Sequence, residues 1–203
     1  VDHLDALGWL GPDVWVAHAV HLSDHDITRL AATGTAVAHC PSSNARLGAG
    51  VAPVTALRRA GVSVGLGVDG AASNEAASLV DELRHVLLFA RAVGGPTALG
   101  VREAVEMATL GGAAALGRAD DIGSLEPGKL ADLALWRLDG LAHADIADPV
   151  AALVLGPPPP LARLWVHGRA VVADGHLLTA DEGDLARAVT RAHRRLTDEG
   201  AHR

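Results

Sequence analysis

Short apolar runs alternate with stretches of helical periodicity along the first 117 residues. The runs at residues 14–17, 36–38 and 62–68 are built mainly from Val, Ala, Gly and Leu, and a helical stretch follows each of them. This alternation is typical of parallel βα units, in which a helix returns the chain to the start of the next strand. The pattern predicts an α/β fold with three neighbouring parallel strands.

Capping residues and helix breakers mark the ends of the helical stretches. Ser23 is a suitable N-cap for a helix over residues 24–33, and Gly34 is a natural stop at its carboxyl end. Residues 42–50 are predicted to form a loop. The other predicted helices of this part cover residues 1–10, 53–60, 79–93 and 101–116.

The pattern changes after residue 122. A Pro-Gly turn at residues 127–128 leads into two β stretches, residues 131–136 and 164–172, and Gly168 lies where a hairpin would turn. The proline run from residue 156 to residue 160 favours a rigid extended linker. The chain is therefore predicted to divide into an α/β region (1–122), a small β-sandwich-like subdomain (123–180) and a carboxy-terminal helix (181–203).

Three reactive side chains follow the predicted strands at their carboxyl ends. His18 follows the first strand, His39 the second and Asp69 the third. Because parallel strands end at the same edge of a sheet, and barrel enzymes build their active sites there, these residues are candidates for one site.

Composition and charge exclude several classes of function. The 203 residues carry a net charge of −7 with scattered basic residues, which argues against a nucleic-acid partner. Cys40 is the only cysteine, so no internal disulfide can form and a reducing, cytoplasmic location is expected. No apolar run approaches the roughly 18 residues that a membrane span needs.

Three sequence blocks resemble the amidohydrolase superfamily. Residues 17–22 read Ala-His-Ala-Val-His-Leu, residues 38–48 begin Ala-His-Cys-Pro-Ser-Ser-Asn, and residues 65–74 contain Gly-Val-Asp-Gly. Together with residues 121–134 they resemble the branch of the cytosine, guanine and S-adenosylhomocysteine deaminases and the triazine hydrolases, above all the 8-oxoguanine deaminases. The resemblance implies strands six to eight of a partial (β/α)8 barrel, followed by the β appendage and the terminal helix.

The resemblance also implies a metal-dependent aminohydrolase that releases ammonia from a purine-like aminoheterocycle such as 8-oxoguanine. Asp69 matches the aspartate that binds the metal, zinc or iron, and takes a proton from water, and His18 matches a histidine that contacts the water or the substrate. The chemistry is consistent with this, since a divalent metal lowers the pKa of its water to about 7.

Two family motifs are not found ahead of His18, namely a His-x-His pair and a His followed three residues later by Glu. Only His3 occurs there, so the ligand set expected for catalytic zinc is incomplete. The sequence is therefore interpreted as the carboxy-terminal part of such an enzyme, inactive alone, with open sheet edges that favour association, including a homo-oligomer. Two alternatives remain: a triazine or guanine aminohydrolase of the same branch, and a non-catalytic remnant.

Each candidate also has a structural interpretation. His18 could be a buried core histidine, and Asp69 a turn residue ahead of a glycine. His39 is left open between core and pocket, His21 is expected to be structural, and Cys40 is expected to be a small buried hydrophobe. The histidines near the carboxyl end are expected to be solvated or structural; they are His143, His167, His176, His193 and His202. The glycines from residue 65 to residue 70 superficially resemble a dinucleotide fingerprint, but no Rossmann context supports that function.

Overall fold

The computed structural model describes residues 1–200, with side chains described as far as residue 197. The chain folds into two compact units. The first comprises Val1–Lys129 with Leu138–Pro158, and the second comprises Leu130–Arg137 with Pro159–Arg203. The sequence predicts three consecutive regions, divided at residues 122 and 180. That division into domains stays a prediction.

A three-stranded parallel sheet forms the centre of the first unit. Its strands are β1 (Trp15–Ala17), β2 (Ala36–His39) and β3 (Val64–Leu66), in the order β1-β2-β3. In the register, Val16 lies opposite Val37, and Val37 lies opposite Val64. The prediction of three neighbouring parallel strands is confirmed, although the flanking residues of the third apolar run lie outside the strand.

Helices flank this sheet throughout the first unit. Ser23 caps α2 with a complete capping box, and Gly34 ends it at a φ of 73°, as its sequence predicts. The helices are α1 (Asp2–Ala6), α2 (Asp24–Thr33), α3 (Pro41–Arg46), α4 (Val54–Arg59), α5 (Leu79–Gly94), α6 (Val101–Glu106), α7 (Gly112–Ala115) and α8 (Pro149–Leu155). A π-helical segment, Met107–Gly111, joins α6 to α7, and a 3-10 turn covers Leu141–His143.

Two helical predictions need correction. Residues 42–50 do not form only a loop, because α3 occupies Pro41–Arg46 with the proline in its first turn, a position that proline favours. The predicted helix over residues 101–116 is interrupted by the π-helical segment, where Gly111 lies directly against the carbonyl group of Val64. Single π-helical turns of this kind occur as bulges inside otherwise α-helical stretches.

The hydrophobic core of the first unit lies between the sheet and its helices. Val37 and Val64 contribute one face of the sheet, and both are almost fully buried. The helices cover this face with large side chains that are also buried: Leu30, Leu57, Val86, Leu87 and Met107. Burial of one such side chain contributes about 1.5–3 kcal/mol to stability.

The second unit contains a single four-stranded antiparallel sheet in its described part, where the sequence predicts a sandwich-like appendage. The strands are β4 (Leu133–Trp136), β5 (Leu161–Val166), β6 (Arg169–Ala173) and β7 (His176–Leu177), paired in chain order. Gly168 turns the β5–β6 hairpin at a φ of 74°, as predicted. Helix α9 covers Glu182–Gly200, and the rest of the predicted helix, including His202, lies outside the described residues.

No helix among residues 1–200 is both long enough and apolar enough to cross a bilayer.

Candidate active site

His18 and Asp69 meet at the carboxyl edge of the parallel sheet. His18 directly follows β1, and Asp69 lies three residues beyond β3. The Nε2 atom of His18 is 3.7 Å from Oδ2 of Asp69, and the two side chains are 41% and 32% exposed. The structure thus brings the two predicted site residues together at a position that a small molecule can reach.

Both residues adopt the left-handed backbone conformation. The φ angle is 66° at His18 and 64° at Asp69, and Ala19 follows His18 at 51°. Side-chain-bearing residues in this region cost on the order of 1 kcal/mol each and persist where their surroundings hold them. The contacts around each side chain show what holds them here.

Three hydrogen-bond donors surround the carboxylate of Asp69. The hydroxyl of Ser43 donates to Oδ2 at 2.6 Å and that of Ser73 at 3.0 Å, while the N–H of Gly70 donates to Oδ1 at 2.8 Å. These bonds, the one from Ser43 foremost, lower the pKa of Asp69 below its ordinary value. The side chain is therefore a carboxylate at neutral pH and can bind a cation or accept a proton.

The imidazole of His18 is oriented by Asn44. Its Nδ1 atom lies 2.9 Å from Oδ1 of Asn44, whose side chain is 2% exposed. Because an amide oxygen can only accept, Nδ1 carries the proton in this arrangement. Neutral His18 then presents the lone pair of Nε2 on the side of Asp69.

Ser43 and Asn44 are consecutive residues of α3, so this one short helix contacts both Asp69 and His18. Both side chains are buried. Ser42, which precedes them, donates its backbone N–H to Oε2 of Glu82 at 3.0 Å. The other oxygen of Glu82 accepts from Nδ2 of Asn74 at 2.8 Å.

By resemblance, residues 42–48 are expected to border the substrate pocket, but sequence reasoning assigned no supporting role to any of these residues. Ser43 and Asn44 lie in the block Ala-His-Cys-Pro-Ser-Ser-Asn, and Ser73 and Asn74 end the block that contains Asp69. Their presence in the two blocks was the available signal. Glu82 has no such signal, since an acidic residue in the first turn of a helix is ordinary on a solvated face.

His39 and Cys40 lie in the interior beside the site. His39 is 1% exposed, and burial first, then the charge of His18, lowers its pKa to about 4, so its ring is neutral. Burial first, then Asp69 and Glu82, raises the pKa of Cys40 to about 11, so it remains a thiol. Cys40 is therefore unsuited to act as a nucleophile. His21 lies on the exposed surface.

The residues present fit a divalent metal in kind but not in number. An anionic carboxylate at Asp69 and a free imidazole nitrogen at His18 are the donors that zinc and iron accept. Among residues 1–200, however, no group of three or more His, Cys, Asp or Glu side chains is placed to hold a metal ion. Catalytic zinc is ordinarily held by three protein ligands, so these two donors could form only part of a site.

Comparison with known proteins identifies the family. The sequence profile of the Amidohydrolase family matches residues 1–171. The chain belongs to this family. The resemblance seen in the three sequence blocks is thereby confirmed, and the mixed α/β fold agrees with it.

Several known proteins are similar to this chain over nearly all of its residues. The 8-oxoguanine deaminase of Pseudomonas aeruginosa is 46% identical over 192 residues, which are 94% of this chain and 42% of that protein. A crystal structure of an adenosine deaminase from Xanthomonas campestris with bound zinc is 32% identical, with a TM-score of 0.92, and the match covers 97% of this chain and 45% of that one. A zinc complex of atrazine chlorohydrolase from Arthrobacter aurescens is 35% identical, with a TM-score of 0.88 and coverage of 94% and 43%. The chain thus spans less than half the length of these relatives.

Proposed function

We propose that this chain forms the part of a metal-dependent hydrolytic deaminase that carries Asp69 and His18. The proposed substrate is a purine-like aminoheterocycle such as 8-oxoguanine, and the product released is ammonia. One observation carries the proposal: the 3.7 Å approach of His18 to Asp69 at the carboxyl edge of a parallel sheet, in a member of the Amidohydrolase family. The similarity to the 8-oxoguanine deaminase supports the choice of ring.

Each residue has a distinct proposed role. A divalent metal, when bound, supplies Lewis acidity and lowers the pKa of water to about 7. The Asp69 carboxylate offers one oxygen as a metal ligand and can accept a proton from the attacking water, because its hydrogen-bonded surroundings keep it ionised. His18, held through Nδ1 by Asn44, places Nε2 where it can hydrogen-bond the water or the substrate.

Zinc is the metal we favour over iron. Two of the similar solved structures, the adenosine deaminase and the atrazine chlorohydrolase, contain zinc. The atrazine chlorohydrolase also supports a second candidate function, hydrolysis of a triazine ring substituent, since it is 35% identical across the same residues.

The ligand count leads us to propose that residues 1–203 alone are inactive. Two donors bind zinc weakly, because affinity depends on the number of ligands and on their fixed geometry. A non-catalytic role for this chain by itself follows from the same count. Turnover is expected only when further ligands are supplied.

A coupled ammonia assay tests the proposal. The chain as it stands and the same chain extended at its amino terminus by the preceding part of the P. aeruginosa deaminase are each supplied with zinc. The substrates are 8-oxoguanine, guanine and a triazine. Activity is expected in the extended chain alone, with 8-oxoguanine preferred.

Asp69→Asn in the extended chain should lower turnover by orders of magnitude. Asp120→Asn, which changes an exposed carboxylate outside the site, should not. Metal-dependent turnover by the 203 residues alone, or normal activity of Asp69→Asn, would contradict the proposal.

A further inference from the structure

Glu82 is a fully buried carboxylate with no cationic partner in the described part of the chain. It lies in the first turn of α5, is 0% exposed, and has as neighbours in the helix the buried side chains of Leu83 and Val86. Among the described residues it forms no ion pair. A carboxylate in such surroundings is destabilising unless hydrogen bonds satisfy its oxygens. The hydrogen bonds of Glu82 therefore indicate what this side chain does in the fold.

The two oxygens of Glu82 bind two different segments of the chain. Oε2 accepts the backbone N–H of Ser42, in the first turn of α3, at 3.0 Å. Oε1 accepts from the side-chain amide of Asn74, in the loop between β3 and α5, at 2.8 Å. These segments are separated by about 30 residues in the sequence, and Glu82 links them through one side chain.

Each linked segment holds one side of the His18–Asp69 pair. On the α3 side, the residues that directly follow Ser42 donate to Asp69 and bind the Nδ1 atom of His18. On the loop side, Nδ2 of Asn74 also donates to the carbonyl of Val68 at 2.9 Å, which fixes the residue immediately before Asp69. Both paths from Glu82 to the site are therefore only a few bonds long.

We infer that Glu82 is a positioning residue that sets the distance between His18 and Asp69. An apolar side chain of equal volume could fill the space, but the N–H of Ser42 would lose its bond to Oε2, and the Asn74 amide would keep only its bond to the carbonyl of Val68. Helix α3 and the β3–α5 loop would then lose this link and keep direct contacts such as those of the Ser43 hydroxyl with Asp69 and Ser73, so their relative position would shift. The inference rests on the proposed function only in taking the pair to be catalytic, since the positional link itself belongs to the fold.

Glu82→Gln provides the test, because glutamine has nearly the same shape but a single acceptor oxygen. Its NH₂ group must face either the N–H of Ser42 or the amide of Asn74, so one link is broken or rearranged. The readout is NMR of the isotope-labelled chain of 203 residues, without substrate or metal. The signals followed are the amide of Gly70, which donates to Asp69, and the ring nitrogens of His18.

Thr35→Val is the matched control. Thr35 is also buried, at 1% exposure, and hydrogen-bonds to the backbone of Gly11, but it lies at the amino end of β2, away from the site. Loss of stability alone would affect both variants similarly. Glu82→Gln is expected to shift the Gly70 and His18 signals several times more than Thr35→Val does.

Equal shifts in the two variants, or unchanged site signals in Glu82→Gln, would overturn the inference. Should Glu82→Gln fail to fold, Glu82→Asp keeps both acceptor oxygens on a side chain shorter by one methylene. It is expected to displace the same signals, and wild-type signals in that variant would equally overturn the inference. Because no turnover is measured, the result is independent of the ammonia assay.

Discussion

His18 and Asp69 share both a contact and a backbone conformation: their side chains approach to 3.7 Å, and both lie in the left-handed region, at φ angles of 66° and 64°. Strain of this kind persists only where surrounding contacts compensate for it. Here two consecutive residues of α3 supply those contacts, Ser43 to Asp69 and Asn44 to His18. The geometry of the pair therefore depends on one short helix that sequence reasoning took for a loop.

Removal of the Ser43 hydroxyl should raise the pKa of Asp69. That hydroxyl is the first among the causes that lower this pKa, because it stabilises the ionised carboxylate. In Ser43→Ala, Asp69 should become protonated at a higher pH than in the wild type, as followed by ¹³C NMR of its carboxyl carbon. Ser42→Ala is the control, since the Ser42 hydroxyl bonds to His85 instead. An unchanged titration in Ser43→Ala would show that the bond does not stabilise the charge.

Loss of the Asn44 amide should release the ring of His18. The Oδ1 atom of Asn44 holds the proton on Nδ1, so Asn44→Ala should give a mixture of the two neutral tautomers and a second ring orientation. The ¹⁵N shifts of the imidazole distinguish these tautomers. Arg46→Gln is a control on the same helix, because Arg46 pairs with the exposed Glu75. A single Nδ1–H tautomer in Asn44→Ala would assign the orientation of His18 to other contacts.

Local patterns were sufficient to predict the parallel strands, the capped helix α2 and the positions of His18 and Asp69 at the strand ends, where the two residues meet. Each of these depends on neighbours within a few positions, such as the Ser23 cap or the histidine directly after β1. The supporting contacts depend on pairs distant in sequence: Ser43 meets Asp69 across 26 positions, and Ser42 meets Glu82 across 40. A local sequence pattern does not indicate which residues so far apart in the sequence will be in contact.

Helix α3 was missed for a related reason. Its sequence, Pro-Ser-Ser-Asn-Ala-Arg, contains residues typical of turns and caps. Two of their polar side chains nevertheless hydrogen-bond to Asp69 and His18, and these tertiary contacts outweigh the weak local preference.

Gly111 should not tolerate a side chain. A Cβ atom there would overlap the backbone carbonyl of Val64, on the central sheet. Ala normally gains about 1 kcal/mol over Gly in a helix, but overpacking against backbone costs about 1–3 kcal/mol or more. Gly111→Ala should therefore lower the free energy of unfolding in urea titrations. Gly140→Ala is the matched control, since open space surrounds Gly140 and its φ of −79° suits alanine. Equal stability of the two variants would refute the close approach of the π-helical segment to β3.

Because of His39, the stability of the protein should decrease as the pH is lowered through a defined range. Burial lowers its pKa to about 4 in the folded state, against 6.5 for an ordinary histidine. Because the folded pKa is the lower one, the unfolded chain binds the proton more tightly, so stability is complete above pH 6.5 and decreases as the pH falls from 6.5 towards 4. Between pH 7 and pH 5 the loss of stability due to this residue should be about 2 kcal/mol.

Urea unfolding of the wild type and of His39→Asn at both pH values isolates the contribution, since carboxylates and the remaining histidines affect both proteins alike. The asparagine variant should be less stable overall but should lose about 2 kcal/mol less on acidification. Parallel pH profiles for the two proteins would mean that His39 is protonated as readily in the folded chain as in the unfolded one, which its burial beside His18 argues against.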